Sequence, residues 1–278
     1  MAKITAADVN KLRKQTGAGM MDCKNALVEA NGDFEQAIDI LRKKGQKIAA
    51  KRADREATEG VVLSTTNDDN TVGVLISLNC ETDFVAKNES FINLGESILK
   101  IALENLPASK EELFKLKYDD NMTVEEKLTE QTGVIGEKLE LSVYDTLKAP
   151  HVSAYIHAGN KLATLVGLSE NVDGADEAGR NVAMQAAAMS PVALNEDAVS
   201  QEVIDRELEV GREQAREEGK PEEMLDRIAE GRLKKFFKES TLVHQAFIKD
   251  GKMSVQQYVD SVSKGLTVTD FKRVGLGV

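Results

Sequence analysis

Two cysteines, Cys23 and Cys80, and three histidines, His151, His157 and His244, are the side chains here with the most chemistry to offer. The histidines stand at no metal-type spacing to one another or to the cysteines, and no carboxylate cluster completes a ligand set, so no metal site is expected. Cys80 and His157 could in principle pair as nucleophile and base, yet nothing in their spacing requires them to meet. There is no Gly-x-Ser-x-Gly elbow and no Gly-x-x-x-x-Gly-Lys-Ser/Thr loop. Gly17 and Gly19 read as a flexible join between helices and not as a phosphate cradle. The chain is therefore expected not to be an enzyme and to use no cofactor.

Two segments look built for contact instead. Cys23 falls in a helix beside Met20 and Met21. Packing is the plain reading of the cysteine, but two adjacent side chains on a helix cannot both face one core, so at least one methionine points to the surface, where its flexible thioether suits an adaptable protein interface. The second segment is Cys80-Glu81-Thr82-Asp83-Phe84-Val85-Ala86-Lys87-Asn88, between a strand and a helix. Aromatic residues make up only 4% of the chain and Trp is absent. A Phe flanked by Asp83 and Lys87 is then either a lid over the local core or an exposed anchor for a partner's pocket.

Charge and hydropathy narrow the class. The 278 residues carry 36 Lys and Arg against 47 Asp and Glu, a formal charge of −11, with a pI near 5.0. That balance disfavours a surface that tracks a phosphate backbone, so no direct nucleic-acid partner is expected. With 41% hydrophobic residues, a mean hydropathy of −0.32 and no apolar run approaching the ~20 residues of a bilayer span, no membrane segment is expected. Met1-Ala2-Lys3-Ile4-Thr5 shows neither an apolar signal core nor an Arg-rich transit character, which predicts a cytoplasmic protein. In that reducing compartment both cysteines stay thiols. The length allows two or three small domains.

The elements that must position these residues follow from periodicity. Ala6, Val9 and Leu12, opened by Thr5 with Asp8, predict a first helix; Met20 to Ala30 predicts a second; Asp33 with Gln36 opens a third that is expected to stop at Gly45. The basic stretch from Lys43 to Arg55 reads as a solvated linker helix, since no aromatic residue is interleaved for base stacking. Val61–Thr65 and Val72–Leu78, joined by the Asn67–Asn70 turn cluster, read as antiparallel strands. Phe91, Leu94, Ile98 and Ile101 share a helical face, and two further helices are expected through Leu113 and from Val124 to Leu141. Strand, turn, strand and helix then recur over His151–Ile156, Leu162–Leu168 and a helix bearing Val182, Met184 and Ala188, which suggests two related halves. Residues 200–240 read as a protruding antiparallel coiled-coil hairpin with a thin seam of Ile204, Leu208, Gly211 and Ala215 against Leu225, Ile228, Leu233 and Phe236. Leu242–Ile248, a helix through Tyr258, and Thr267–Leu276 are expected as strand, helix, strand. The predicted class is α+β: a three-helix N-terminal domain and basic linker over 1–54, a first α+β half over 55–140, a second over 141–199 and 241–278, and the hairpin inserted at 200–240.

Leu12-Arg13, Thr16-Gly17-Ala18-Gly19-Met20-Met21-Asp22-Cys23-Lys24 and Ala26-Leu27 resemble the N-terminal signature of the elongation factor Ts family. Glu81-Thr82-Asp83-Phe84-Val85-Ala86 resembles its second signature, and Glu230-Gly231-Arg232-Leu233-Lys234-Lys235-Phe236 lies where the family's returning coiled-coil arm would be. The resemblance runs over nearly the whole chain. It implies a ubiquitin-associated-like N-terminal domain, antiparallel sheets in both halves, and guanine-nucleotide exchange on elongation factor Tu in its GDP-bound and nucleotide-free forms. Residue by residue, it implies that Thr82, Asp83, Phe84 and Val85 enter the partner and dislodge its Mg²⁺. Arg13, Met20, Met21 and Cys23 would form an N-terminal contact surface, with His157 a second contact. Some members carry an extra C-terminal helix; this chain ends at Gly275-Leu276-Gly277-Val278 and is expected to lack that contact. A non-catalytic binding adaptor and a thiol enzyme using Cys80 are the competing readings. A homodimer through the core or the coiled coil stays open.

Overall fold

The computed structural model describes residues 4–277. Met1, Ala2 and Lys3, part of the stretch read for a targeting signal, and Val278 lie outside the described residues. The chain divides into two compact units. One contains the described residues of Met1–Val62, Ile76–Tyr144 and Leu276–Val278, the other Leu63–Leu75 and Asp145–Gly275.

Helix α1 (Ala6–Thr16) starts on a full capping box, the Thr5 side chain accepting from Asp8 N while Asp8 accepts from Thr5 N, and it ends where Gly17 takes φ +70°. Helix α2 is Met20–Glu29 and α3 is Phe34–Arg52, the latter capped by Asp33 accepting from Gln36 N. Leu12, Cys23, Leu27 and Ala37 are the buried centre of this three-helix cluster. The expected stop at Gly45 is not observed. Gly45 is buried inside α3, because its missing Cβ is used for close approach: a Cβ on the facing Gly133 would overlap Gly45 Cα. The basic stretch is the second half of α3 and the residues just after it, with Lys43, Lys44, Lys47, Lys51 and Arg55 exposed and Lys44 paired to Asp22.

Strands β1 (Glu59–Thr66) and β2 (Val72–Cys80) follow, then α4 (Asp83–Ala86), α5 (Glu89–Asn105), α6 (Lys110–Lys115) and α7 (Val124–Ile135). The helix expected to reach Leu141 ends at Ile135 instead. Gly136 adopts φ +80° and its N–H closes on Thr132 O, a left-handed cap. Residues Glu140–Lys148 form a strand, β3, in a sheet of order β1-β2-β3. Packing of α7 on α3 runs through the Gly45–Gly133 contact.

In the second unit, β4 (His151–Ile156) and β5 (Leu162–Leu168) pair from His151↔Leu168 to Ile156↔Ala163. Gly159 and Asn160 supply the positive φ values that the tight turn requires. Helix α8 (Ala175–Met189) lies on both strands, and its small inner residues permit this: a Cβ at Gly179 would overlap Ser153 Oγ. Helices α9 (Gln201–Glu217) and α10 (Leu225–Ser240) fold back on each other around Gly211, Ala215, Leu225 and Ala229. That seam buries little apolar area, and cross-arm pairs Arg212–Asp226 and Arg232–Glu218, both 2.7 Å, flank it. The expected Leu242–Ile248 strand shrinks to β6 (Ala246–Phe247), paired with β7 (Asp250–Ser254). Leu242 and Val243 are core residues on a turn whose N–H groups bond Ala193 O and Leu194 O. After α11 (Val255–Val262), β8 (Val268–Gly275) pairs with β5, giving the order β4-β5-β8. The architecture is α+β.

Candidate functional site

Strand β2 ends in a fully buried Cys80, whose thiol donates to Thr82 O at 3.2 Å. Burial pushes this thiol up to about 12, with the nearby Glu137 charge adding to the effect. A protonated, inaccessible sulfur is a poor nucleophile, which removes the basis for the thiol-enzyme reading. The chain then turns into α4, a single helical turn. Thr82 is its N-cap, Ala86 N donates to Thr82 O at 3.2 Å, and Lys87 N donates to Asp83 O at 3.1 Å. Lys87 also pairs with Asp83 at 2.7 Å.

The turn is tied to the segment following α7. Glu137 Oε2 accepts from Glu81 N at 3.2 Å and Thr82 N at 3.0 Å, and its Oε1 accepts from Thr82 Oγ1 at 2.7 Å. In the reverse direction Glu81 Oε1 accepts from Lys138 N at 2.6 Å and from Arg52 Nη1 at 2.7 Å. The Lys138 N–H, and after it the Arg52 guanidinium, hold the Glu81 carboxyl below the usual glutamate range. Sequence reasoning missed Glu137, Lys138 and Arg52. Their one local signal was Gly136, a cap glycine that marks Glu137 as the first residue beyond a helix.

On this turn only Ala86 faces inward, and Phe84 is 84% exposed. Of the two readings left open by the sequence, the lid over the local core is excluded by that exposure. Met20 and Met21 are both turned outward, at 54% and 62% exposure. Arg13 is exposed in the last turn of α1. Cys23 is a correction: it is fully buried, its thiol 3.6 Å from Ala18 O, so its side chain cannot touch a partner in this fold. It packs behind the methionines because it falls on the face of α2 shared with Ala26 and Leu27. His157 is exposed at the β4–β5 turn, with Nδ1 2.9 Å from Tyr155 Oη and its N–H bonded to Leu162 O. Phe84 and the N-terminal residues belong to one unit and His157 to the other.

Among the described residues no His, Cys, Asp and Glu side chains group to hold a metal ion. No described helix is long and apolar enough to cross a membrane. What the Phe84 turn offers is a bulky apolar side chain held in water on an ordered backbone, a geometry for insertion into another molecule.

The family model described as Elongation factor TS matches residues 81–278, starting at the Phe84 turn. The chain belongs to the elongation factor Ts family. It is similar to Elongation factor Ts of Christiangramia forsetii, 63% identical over 277 residues and covering 100% of both chains. Elongation factor Ts of Flavobacterium psychrophilum is 56% identical over 277 residues, again covering 100% of both. Elongation factor Ts of Porphyromonas gingivalis is 51% identical over 273 residues, covering 98% of each. The chain is thus a translation elongation factor of the nucleotide-exchange type, whose work is binding and not a chemical step.

Proposed function

We propose that Thr82, Asp83, Phe84 and Val85 enter the nucleotide-binding domain of GDP-bound elongation factor Tu, with Phe84 as the wedge. Intrusion there displaces the partner's Mg²⁺ and disturbs its phosphate loop, so that the β-phosphate of GDP loses its cation and its backbone donors. GDP leaves and GTP can enter. The observation that supports this reading is the 84% exposure of Phe84 on a hydrogen-bonded turn. An apolar ring kept in water forgoes the gain of burial in its own fold, and that gain remains to be collected from a partner.

Magnitudes assign the remaining surfaces a share. Shifting the partner's nucleotide affinity by about 10⁴ requires a preference of about 5.5 kcal/mol for the nucleotide-free form. Burying one Phe contributes roughly 1.5–3 kcal/mol. Arg13, Met20, Met21 and His157 therefore supply contacts as well, and Cys23 supports the methionines from behind. Reciprocity holds throughout: what the factor takes from GDP affinity, GDP takes from the factor's affinity.

In this reading residues 1–54 act as a ubiquitin-associated-like contact domain and linker. Residues 55–140, and 141–199 with 241–278, act as related halves of a core. The arm over 200–240 is a coiled coil, a reading supported by the close approach of Gly211 to Ala229; it pairs with a second copy, docks on the GTPase or stabilises the core. The place of action is the cytoplasm, where elongation proceeds.

The test is release of labelled GDP from elongation factor Tu. Wild type accelerates it, and Phe84→Ala loses about 10- to 100-fold of that acceleration, the equivalent of one buried Phe. Full activity in Phe84→Ala removes the wedge. Tight association without faster release, for wild type, makes the chain an adaptor.

A further inference from the structure

We propose that Glu137 is a positioning residue for nucleotide exchange, acting with Glu81 and Arg52 to fix the direction in which the α4 turn presents Phe84. The inference rests on the wedge reading above and adds to it the device that aims the wedge.

Helix α4 has four residues, too few to hold itself, because the first turn of a helix costs more order than its few bonds return. Its own cap is weak: Val85 N lies 3.5 Å from Thr82 Oγ1. It buries only Ala86. Left to itself, such a turn would let the Phe84 ring fold down onto the protein's own surface. External bonds prevent this. Each of two carboxylates accepts a backbone N–H from the other's segment, Glu81 N to Glu137 and Lys138 N to Glu81, so the chain on both sides of the contact is fixed in register. Glu137 accepts three donors in all, two of them from the N-cap residue Thr82 itself. Bonds to an ionised oxygen are stronger and more directional than neutral ones. Arg52, from the last turn of α3, is the third anchor. Helix α3 is in turn packed on α7, which leads directly into Glu137, through Gly45 and Gly133. The ring's orientation is thus set through Glu81 by Glu137 and Arg52, which are themselves held by helix packing and lie outside the signature bearing the ring.

The test is saturation kinetics of GDP release from elongation factor Tu. Glu137→Ala lowers the saturating rate about 10- to 100-fold, as loss of charge-assisted bonds that fix a reacting geometry does. The half-saturating concentration moves by less than about threefold, since Met20, Met21 and His157 still bind. Glu137→Gln restores most of the rate, because its amide oxygen accepts from both backbone N–H groups while its NH₂ turns to Thr82 Oγ1. Arg52→Met, which leaves Glu137 in place, lowers the rate by about threefold, the smaller loss expected of one outer hydrogen bond. The double variant Phe84→Ala/Glu137→Ala is no slower than Phe84→Ala alone, since Glu137 acts through that ring. The chain contains no Trp, so Phe84→Trp installs a single reporter. Its anisotropy decay in the free protein gains a fast component when Glu137→Ala is added and none with Glu137→Gln. A wild-type rate in Glu137→Ala, with Phe84→Ala impaired, overturns the positioning role and leaves the wedge intact. A full rate in Phe84→Ala overturns the wedge. Equal loss in Glu137→Ala and Glu137→Gln, with lowered thermal midpoints and an unchanged reporter, makes Glu137 merely structural and overturns the proposal.

Discussion

Phe84 and Phe91 are the same side chain seven residues apart in one unit of the molecule, and their surroundings are opposite: 84% against 1% exposed. Phe91 belongs to a helix of 17 residues in which Leu94, Ile98 and Ala102 share the inward face, so each member of the stripe is covered by the others. Phe84 sits on a turn of four residues, where Ala86 occupies the one inward place. Burial follows the length and phase of the element that carries a residue and not the residue's type. An aromatic on too short an element stays outside when other bonds hold that element still.

The largest effect should come from the buried member of the pair. Phe91→Ala should destabilise the chain by about 3–5 kcal/mol in urea unfolding, the usual loss for an emptied aromatic site. Phe84→Ala should change stability by less than about 0.5 kcal/mol in the same measurement, as an exposed substitution does. A comparable loss from both would show that Phe84 also packs on its own protein in solution. Next is Cys80, at the buried foot of the Phe84 turn. With its thiol pushed up to about 12 it stays protonated through neutral and mildly alkaline pH. Alkylation at pH 8, followed by peptide mass spectrometry, should be roughly 10³-fold slower than for a free cysteine. Fast labelling would mean that the foot of the turn opens. A smaller effect than either buried site gives concerns Glu81, whose carboxyl is held below the usual range by the Lys138 N–H and then by Arg52. A depressed folded value stabilises above the ordinary glutamate range and loses that stabilisation as pH falls through the folded value. Wild type should therefore exceed Glu81→Gln by about 1 kcal/mol near neutrality, and the gap should close on acidification. A gap that persists in acid would show that shape and not charge holds the turn.

Local chemistry made much of the fold legible. Thr5 with Asp8 and Asp33 with Gln36 are caps that act within four residues, and both start the helices they were expected to start. Gly159-Asn160 makes the turn expected between β4 and β5. The misses have different causes. Gly45 looked like a helix end because a glycine's effect depends on what faces it, and Gly133 is distant in sequence. The helix expected from Val124 to Leu141 was read through Gly136, which ends it at Ile135. The candidate site was legible in one half only: Thr82 to Val85 form a contiguous signature, but Glu137 and Arg52 lie 55 and 30 positions from Thr82 in the sequence.

By itself the sequence determined the class of work. Contiguous exchange-factor signatures, Thr16–Lys24 and Glu81–Ala86, pointed to the family, because such signatures reside in neighbouring residues. Tertiary structure alone decided that Phe84 stands in solvent, that Cys23 cannot reach a partner, and that two glutamates cross-brace the turn. Those outcomes depend on which distant segments meet, and burial and hydrogen bonding are properties of the meeting and not of either segment.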